Sequence, residues 1–249
     1  MSHLSFASFV GETIWCASTT PSATNLATSS ISAANARSNG TVRLGTASSG
    51  ACVAAAITIC PTSLHGGVNN FGSSFLPAIH QGVPYGTPGY PNKPARQAEF
   101  PYVKNTRLSS QQQRRQLELL RKIRDTRPPS ESDRRFEDRI QSFELAFRMQ
   151  MAAPEAVDIS SESETTRRLY GLDQKETENF GLQCLLARRF AERGVRFIQV
   201  SHAHSLKFNN EQWDQHSHLV KGHSINCRQI DWPITGLIKD LKQRGLLED

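Results

Sequence analysis

The sequence predicts an α/β fold, on three observations. From Ser109 onward, apolar side chains recur at helical spacing. A β-branched and aromatic run, Val195-Arg196-Phe197-Ile198-Gln199-Val200, stands between two of these helices. A polar, histidine-rich stretch then follows the run, where open α/β sheets gather their ligand-binding groups.

The elements follow in order. Ser109 is placed to cap a helix carrying Leu117, Leu120 and Ile123, with Gln112 at the capping-box position. Pro128-Pro129 stops it, and Ser130 or Ser132 opens a second helix. There Phe136, Ile140, Phe143 and Phe147 fall at i, i+4, i+7 and i+11, an apolar stripe expected to be core and to end near Pro154. A short helix over about 162–170 ends at Gly171, whose missing Cβ suits a left-handed cap. Another, over about 175–193, is expected to bury Phe180, Cys184, Leu185 and Phe190 and to end at Gly194, with Cys184 packing rather than reacting. The strand comes next, and a last helix with Ile234, Leu237, Ile238 and Leu241 reaches Gly245.

A single strand cannot make a sheet, because its backbone groups need neighbours. Either further strands lie in the weakly patterned first hundred residues or the chain is a piece of something longer; the pattern favours the second. Residues 1–53 carry only Glu12, Arg37 and Arg43 as charged groups among Ser, Thr, Ala, Gly and Asn, and show no sustained period of 3.6 or 2. Such a stretch is expected to be disordered or poorly packed, leaving residues 54–249 as the folded part. Residues 54–108 are rich in Gly, Pro and Asn, including His65-Gly66-Gly67 and Pro84-Tyr85-Gly86-Thr87-Pro88, and read as ordered loops. The Gly-rich turn lacks the Lys-Ser/Thr ending of a phosphate-binding loop, which argues against nucleotide binding.

Composition excludes several classes. No apolar run nears the roughly 18 residues of a membrane span. Met1-Ser2-His3-Leu4 lacks the basic start of a secretory signal, and Gly11-Glu12-Thr13 interrupts its apolar core. The five cysteines, Cys16, Cys52, Cys60, Cys184 and Cys227, are widely spaced and form neither a disulfide framework nor a zinc knuckle. The net charge of +6 suggests nucleic acid at first sight. Its cations are interleaved with acids, however, as in Arg134-Arg135-Phe136-Glu137-Asp138-Arg139, and a solvated helix face explains them better.

The chemistry is expected just beyond the strand. Ser201-His202-Ala203-His204, Trp213-Asp214-Gln215-His216-Ser217-His218 and His223 bring five of the eight histidines into one stretch. Imidazole and carboxylate are the ligands that suit zinc and similar divalent ions. In Asp214-x-His216 on an extended loop, alternate side chains point the same way, so both can approach one ion. Asp214, His216 and, more weakly, His223 are therefore the candidate metal ligands.

Several blocks resemble a known family. Ser142-Phe143-Glu144-Leu145-Ala146-Phe147-Arg148-Met149-Gln150 with Ala153-Pro154-Glu155, Thr166-Arg167-Arg168-Leu169-Tyr170-Gly171, Phe180-Gly181-Leu182-Gln183-Cys184-Leu185-Leu186-Ala187-Arg188-Arg189, Glu192-Arg193-Gly194-Val195-Arg196-Phe197, Trp213-Asp214-Gln215-His216 and Asp240-Leu241-Lys242-Gln243-Arg244-Gly245-Leu246-Leu247 run in order. They are similar to domain-of-unknown-function family 1501, bacterial proteins related to the alkaline phosphatase and sulfatase superfamily, from about Ala56 to Asp249. The resemblance implies a partial alkaline-phosphatase/sulfatase-like α/β fold with a helical insertion, truncated at both ends. It also implies a divalent metal such as zinc, a small phosphate- or sulfate-ester substrate, and export of family members behind a twin-arginine signal, which residues 1–53 do not show. The family's first metal ligand and its nucleophile are expected in an opening region unlike those residues. Ser217-His218 also departs from the family's usual Asp-x-His-Gly/Ala-Asn loop, so the carry-over is confined to Asp214 and His216, with His223 weaker. The chain as given is expected to be catalytically silent; a non-catalytic binding or secretion-associated protein that retains the fold is the alternative.

Overall fold

A computed structural model describes residues 3–10, 13–19, 56–60, 72, 80–87, 94–101, 103–126, 133–202, 213 and 218–247. Five strands form one sheet: β1 (His3–Val10), β2 (Thr13–Thr19), β3 (Ala56–Ile59), β4 (Val83–Tyr85) and β5 (Phe197–Ser201), in the order β1-β2-β5-β3-β4. The first pairings, β1 with β2 and β2 with β5, are antiparallel, whereas β5, β3 and β4 run parallel. Five helices accompany them: α1 (Ser110–Asp125), α2 (Asp133–Val157), α3 (Glu164–Leu169), α4 (Glu178–Glu192) and α5 (Leu219–Gln243). The fold is thus α/β around a small parallel three-stranded core.

The expectation of a lone strand is corrected: β5 is the middle strand of five. Its neighbours escaped the pattern because they are short or unevenly apolar. Fully buried parallel strands read as plain apolar runs, and Ala56–Ile59 within Ala-rich sequence is indistinguishable from a fragment of helix. His3–Val10 and Thr13–Thr19, where no period was read, are also strands; a register shift between Ser5 and Ser8 breaks the alternation that would have marked the first. The boundary at residue 53, with residues 20–55, lies outside the described residues. Tyr85, in a stretch expected to be loop, ends β4, and Gly86 continues at φ 98°.

The helical part follows its signals closely. The Ser109 hydroxyl accepts from Gln112 N–H while the Gln112 side chain accepts from Ser109 N–H, closing the capping box. Gly171 and Gly194 take φ 68° and 80° beyond the ends of α3 and α4. Phe180, Cys184, Leu185 and Phe190 are buried in α4, as are Ile57, Ile59, Ile198 and Val200 in the sheet. The other helices hold three corrections. Phe143 in the supposed core stripe of α2 is 56% exposed, although Ile140 is buried. Second, α2 runs past Pro154 to Val157. The proline removes one backbone donor, but Ala153 and Ala156 anchor the last turn in the core. The Arg189 guanidinium also donates to Glu155 O and Ala156 O, satisfying carbonyls left bare at the helix end. Third, α5 starts at Leu219, well before the apolar residues that marked it, and passes through Pro233, so His223 lies on that helix. Among the described residues, no helix is long and apolar enough to cross a membrane.

Behind the sheet, α4 is buried along most of its length, and its arginines make a charge network. Arg188, 2% exposed, donates from Nη1 to Glu192 Oε2 at 2.7 Å; its Nη2 and Nε lie 2.7 Å from Glu162 Oε2 and 3.1 Å from Asp240 Oδ2. The Tyr170 hydroxyl donates to Asp240 Oδ2 at 2.9 Å, Arg189 pairs with Glu162, and Arg244 joins Asp240 to Glu192. Burial alone would lower the pKa of Arg188; the hydrogen bond to Glu162 and the Glu192 charge raise it instead. Burial likewise works against ionised Glu162, yet bonds from Arg188 and Arg189 hold its carboxyl below the usual value. The network ties α3, α4 and α5 into one block.

Candidate functional site at the carboxyl edge of the sheet

The parallel register sets Ile59 beside Val200 and Tyr85, so Cys60, Gly86 and Ser201 emerge along one edge. Cys60 N–H donates to Tyr85 O at 2.8 Å and Gly86 N–H to Glu99 O at 2.9 Å, fixing the turns at this edge. The carboxyl edge of parallel strands is where α/β folds host ligands. An aromatic set supports the edge: Tyr85, Phe100 and Phe190 lie 4.9–6.1 Å apart, ring centre to ring centre.

His202, one residue beyond β5, is buried and held on every side. Its Nδ1 lies 3.2 Å from Trp213 Nε1, and its Nε2 lies 2.8 Å from Gln229 Oε1 on α5. An indole nitrogen only donates, so Nδ1 must accept; the ring proton then sits on Nε2 and is donated to Gln229. The imidazole is therefore neutral, with both nitrogens engaged. The Phe180 ring meets it edge-on at 5.4 Å. Trp213, clamped by this bond, also lies 6.0 Å from His223, tilted by 32°. The arrangement positions the chain one residue before Asp214, and its chemistry is orientation rather than proton transfer.

The candidate ligands fall unevenly. His223 is half-buried in the second turn of α5, against Trp213. Asp214 and His216 lie outside the described residues, as do His204 and the turn His65-Gly66-Gly67. Among the described residues, no group of three His, Cys, Asp or Glu side chains is placed to hold a metal ion. The donors described at this edge are imidazoles, one of them fully engaged, so a zinc-like ion would need the carboxylate of Asp214 to complete a mixed set. The residue types fit such an ion.

Two potential nucleophiles near the edge, Cys60 and Tyr85, are held in their protonated forms. Burial pushes the Cys60 thiol up to about 12, so it is protonated at neutral pH. Burial, then the proximity of Cys60 and Glu99, pushes the Tyr85 hydroxyl up to about 12 as well. Burial raises Cys184 on α4 further still, in keeping with its packing role.

Sequence reasoning singled out the histidine-rich stretch but not the clamp. His202 was one of five histidines, and nothing in its spacing marked it as the buried one; Gln229 and Phe180, its partners, are far away in sequence. The Tyr170–Asp240–Arg188–Glu162 network was also missed, although paired arginines inside an apolar helix were a usable signal.

A family model described as "Protein of unknown function (DUF1501)" matches residues 2–249, so the Ser/Thr/Ala-rich opening is part of the matched region. No curated protein and no solved structure matches the chain.

Proposed function

The chain belongs to the DUF1501 family of proteins of unknown function, and on that premise we propose that it carries a divalent-cation site at the carboxyl edge of its parallel strands. Asp214 and His216 are the ligands, with His223 beside them, in an alkaline-phosphatase/sulfatase-like fold. A bound cation such as zinc would supply Lewis-acid polarisation of a phosphoryl or sulfuryl oxygen of a small ester. The observation that carries the reading is the clamp on Trp213: a buried, neutral His202 fixes the residue that covalently precedes Asp214, at the edge where ligand groups collect. His202 and Gln229 orient; they do not ligate. We further propose that the chain as given binds without turnover; the protonated Cys60 thiol and Tyr85 phenol described at this edge support that reading.

Calorimetric titration of the full chain with zinc tests the site. Binding near one equivalent is expected, weakened by about a hundredfold or more in Asp214→Ala and His216→Ala and by about tenfold in His223→Ala. Absence of binding, or binding indifferent to Asp214→Ala, would overturn the site. Aryl phosphate and aryl sulfate should stay intact with zinc present; hydrolysis abolished by Asp214→Ala would overturn the silence.

A further inference from the structure

The α1–α2 pair carries an apolar groove that the rest of the described chain does not fill. Helix α1 buries no residue completely, although Leu117 and Leu120 are half-buried against α2. Between the helices lies a groove of about 270 Å³ floored by Leu117, Leu120, Phe143, Ala146 and Phe147, with amides from Gln113, Gln116 and Gln150 at its margin. Phe143 is more than half exposed, and Leu119 and Met151 stand similarly bare on the same pair of helices. An apolar patch rimmed by polar groups marks an interaction surface.

We propose that this groove docks an acidic amphipathic helix of a partner protein. Neither a carboxylate nor a cation lines it, so the charge that selects a partner lies at its margins. The Arg114 guanidinium sits 6.0 Å over the Phe147 ring, and no carboxylate partner for it occurs among the described residues. Asn105 closes one end between exposed Lys104 and Arg107. The other end is neutralised by the pair Arg121–Glu144, at 2.6 Å. Helix α1 itself holds five cations, Arg114, Arg115, Arg121, Lys122 and Arg124, against Glu118 and Asp125. Arg121 is paired with Glu144, and Arg124 with Asp125 and Glu137, which leaves Arg114, Arg115 and Lys122 as the cations that no ion pair neutralises among the described residues. A ligand helix is therefore met by apolar contact along its inner face and by positive charge at one end, where its own acids would lie. That excess of cations disfavours a second copy of α1 as occupant. The Ser/Thr/Ala-rich opening of the chain, with Glu12 as its sole acid through residue 53, lacks the required charge. Nucleic acid would find Leu and Phe where a phosphate track needs donors.

The test uses the full chain and two fluorescein-labelled helical peptides of about 18 residues, long enough to form helix. Both place Leu at i, i+3, i+4 and i+7; one has Glu elsewhere, the other Lys. Fluorescence anisotropy should show the Glu peptide binding and the Lys peptide not. Phe143→Glu, at an exposed position that leaves folding intact, should weaken binding roughly tenfold or more. Arg114→Glu should weaken it severalfold, and raising salt from about 50 to about 500 mM should do the same. Equal binding of both peptides, or binding indifferent to Phe143→Glu, overturns the proposal. So does sedimentation showing a dimer that Phe143→Glu dissolves, which would make the occupant another copy, or displacement of the peptide by duplex DNA.

Discussion

Replacing Arg188 with methionine, which keeps the volume and discards the charge, should destabilise the protein by about 3 kcal/mol. The figure follows from what the guanidinium leaves behind. Arg188 touches Glu162, Glu192 and Asp240. Glu192 is a quarter exposed and rehydrates, so its loss is small. Glu162 and Asp240 are 7% and 6% exposed and cannot. Removing one member of a buried pair costs about 3–5 kcal/mol. Here Glu162 keeps Arg189, while Asp240 keeps Arg244 and the Tyr170 hydroxyl, which places the cost at the low end of that range. Urea unfolding measures it directly, with the slope m unchanged. In a thermal scan, at about 2–4 °C per kcal/mol for a chain of this size, the midpoint should fall by roughly 6–12 °C. Glu192→Gln, the exposed control, should cost under about 1 kcal/mol. If Arg188→Met unfolds within about 0.5 kcal/mol of the parent, below the usual spread of core substitutions, the network is no stabilising clasp and the reasoning fails.

Three further outcomes are expected. Glu162 has a folded pKa below its ordinary value of 4.5, so its contribution is present above that pH and lost as pH falls through the folded pKa. Stability should therefore decline under acid below about pH 4.5, and Arg188→Met should show a shallower decline by urea titration across that window. Gly236→Ala, which in an ordinary helix would gain about 1 kcal/mol, should instead cost about 1–3 kcal/mol, because the added Cβ would lie 2.3 Å from Leu169 O; a raised melting midpoint would refute that close approach. His202→Phe keeps a ring but deletes the acceptor for Trp213 and strands the Gln229 amide. It should cost about 1–3 kcal/mol and shift the tryptophan emission, whereas unchanged emission would deny the clamp.

The sequence made the local features legible and left the long-range ones hidden. Ser109 with Gln112, the stops at Gly171 and Gly194, and the buried face of α4 each depend on residues within a few positions, where chemistry is readable from spacing. Phe143 fitted a helical stripe yet is exposed, because periodicity reports that a face is apolar and not what covers it. β3 and β4 are too short to carry a period, and their assignment rests on partners across the sheet. At the candidate site, the histidine-rich stretch stood out by composition. What distinguishes His202, its contacts with Phe180, Trp213 and Gln229, exists only after α4 and α5 converge on the edge.

The antiparallel seam between β2 and β5 joins Thr13–Ala17 to Phe197–Ser201, about three quarters of the 249-residue chain apart. During synthesis the opening hairpin leaves the ribosome long before its neighbour exists. At about 5–20 residues per second, it waits roughly ten to forty seconds. Throughout that interval an unmatched ribbon edge stays unpaired, ready to zip onto any extended stranger. Slowing translation before residue 197 should therefore lower the soluble yield.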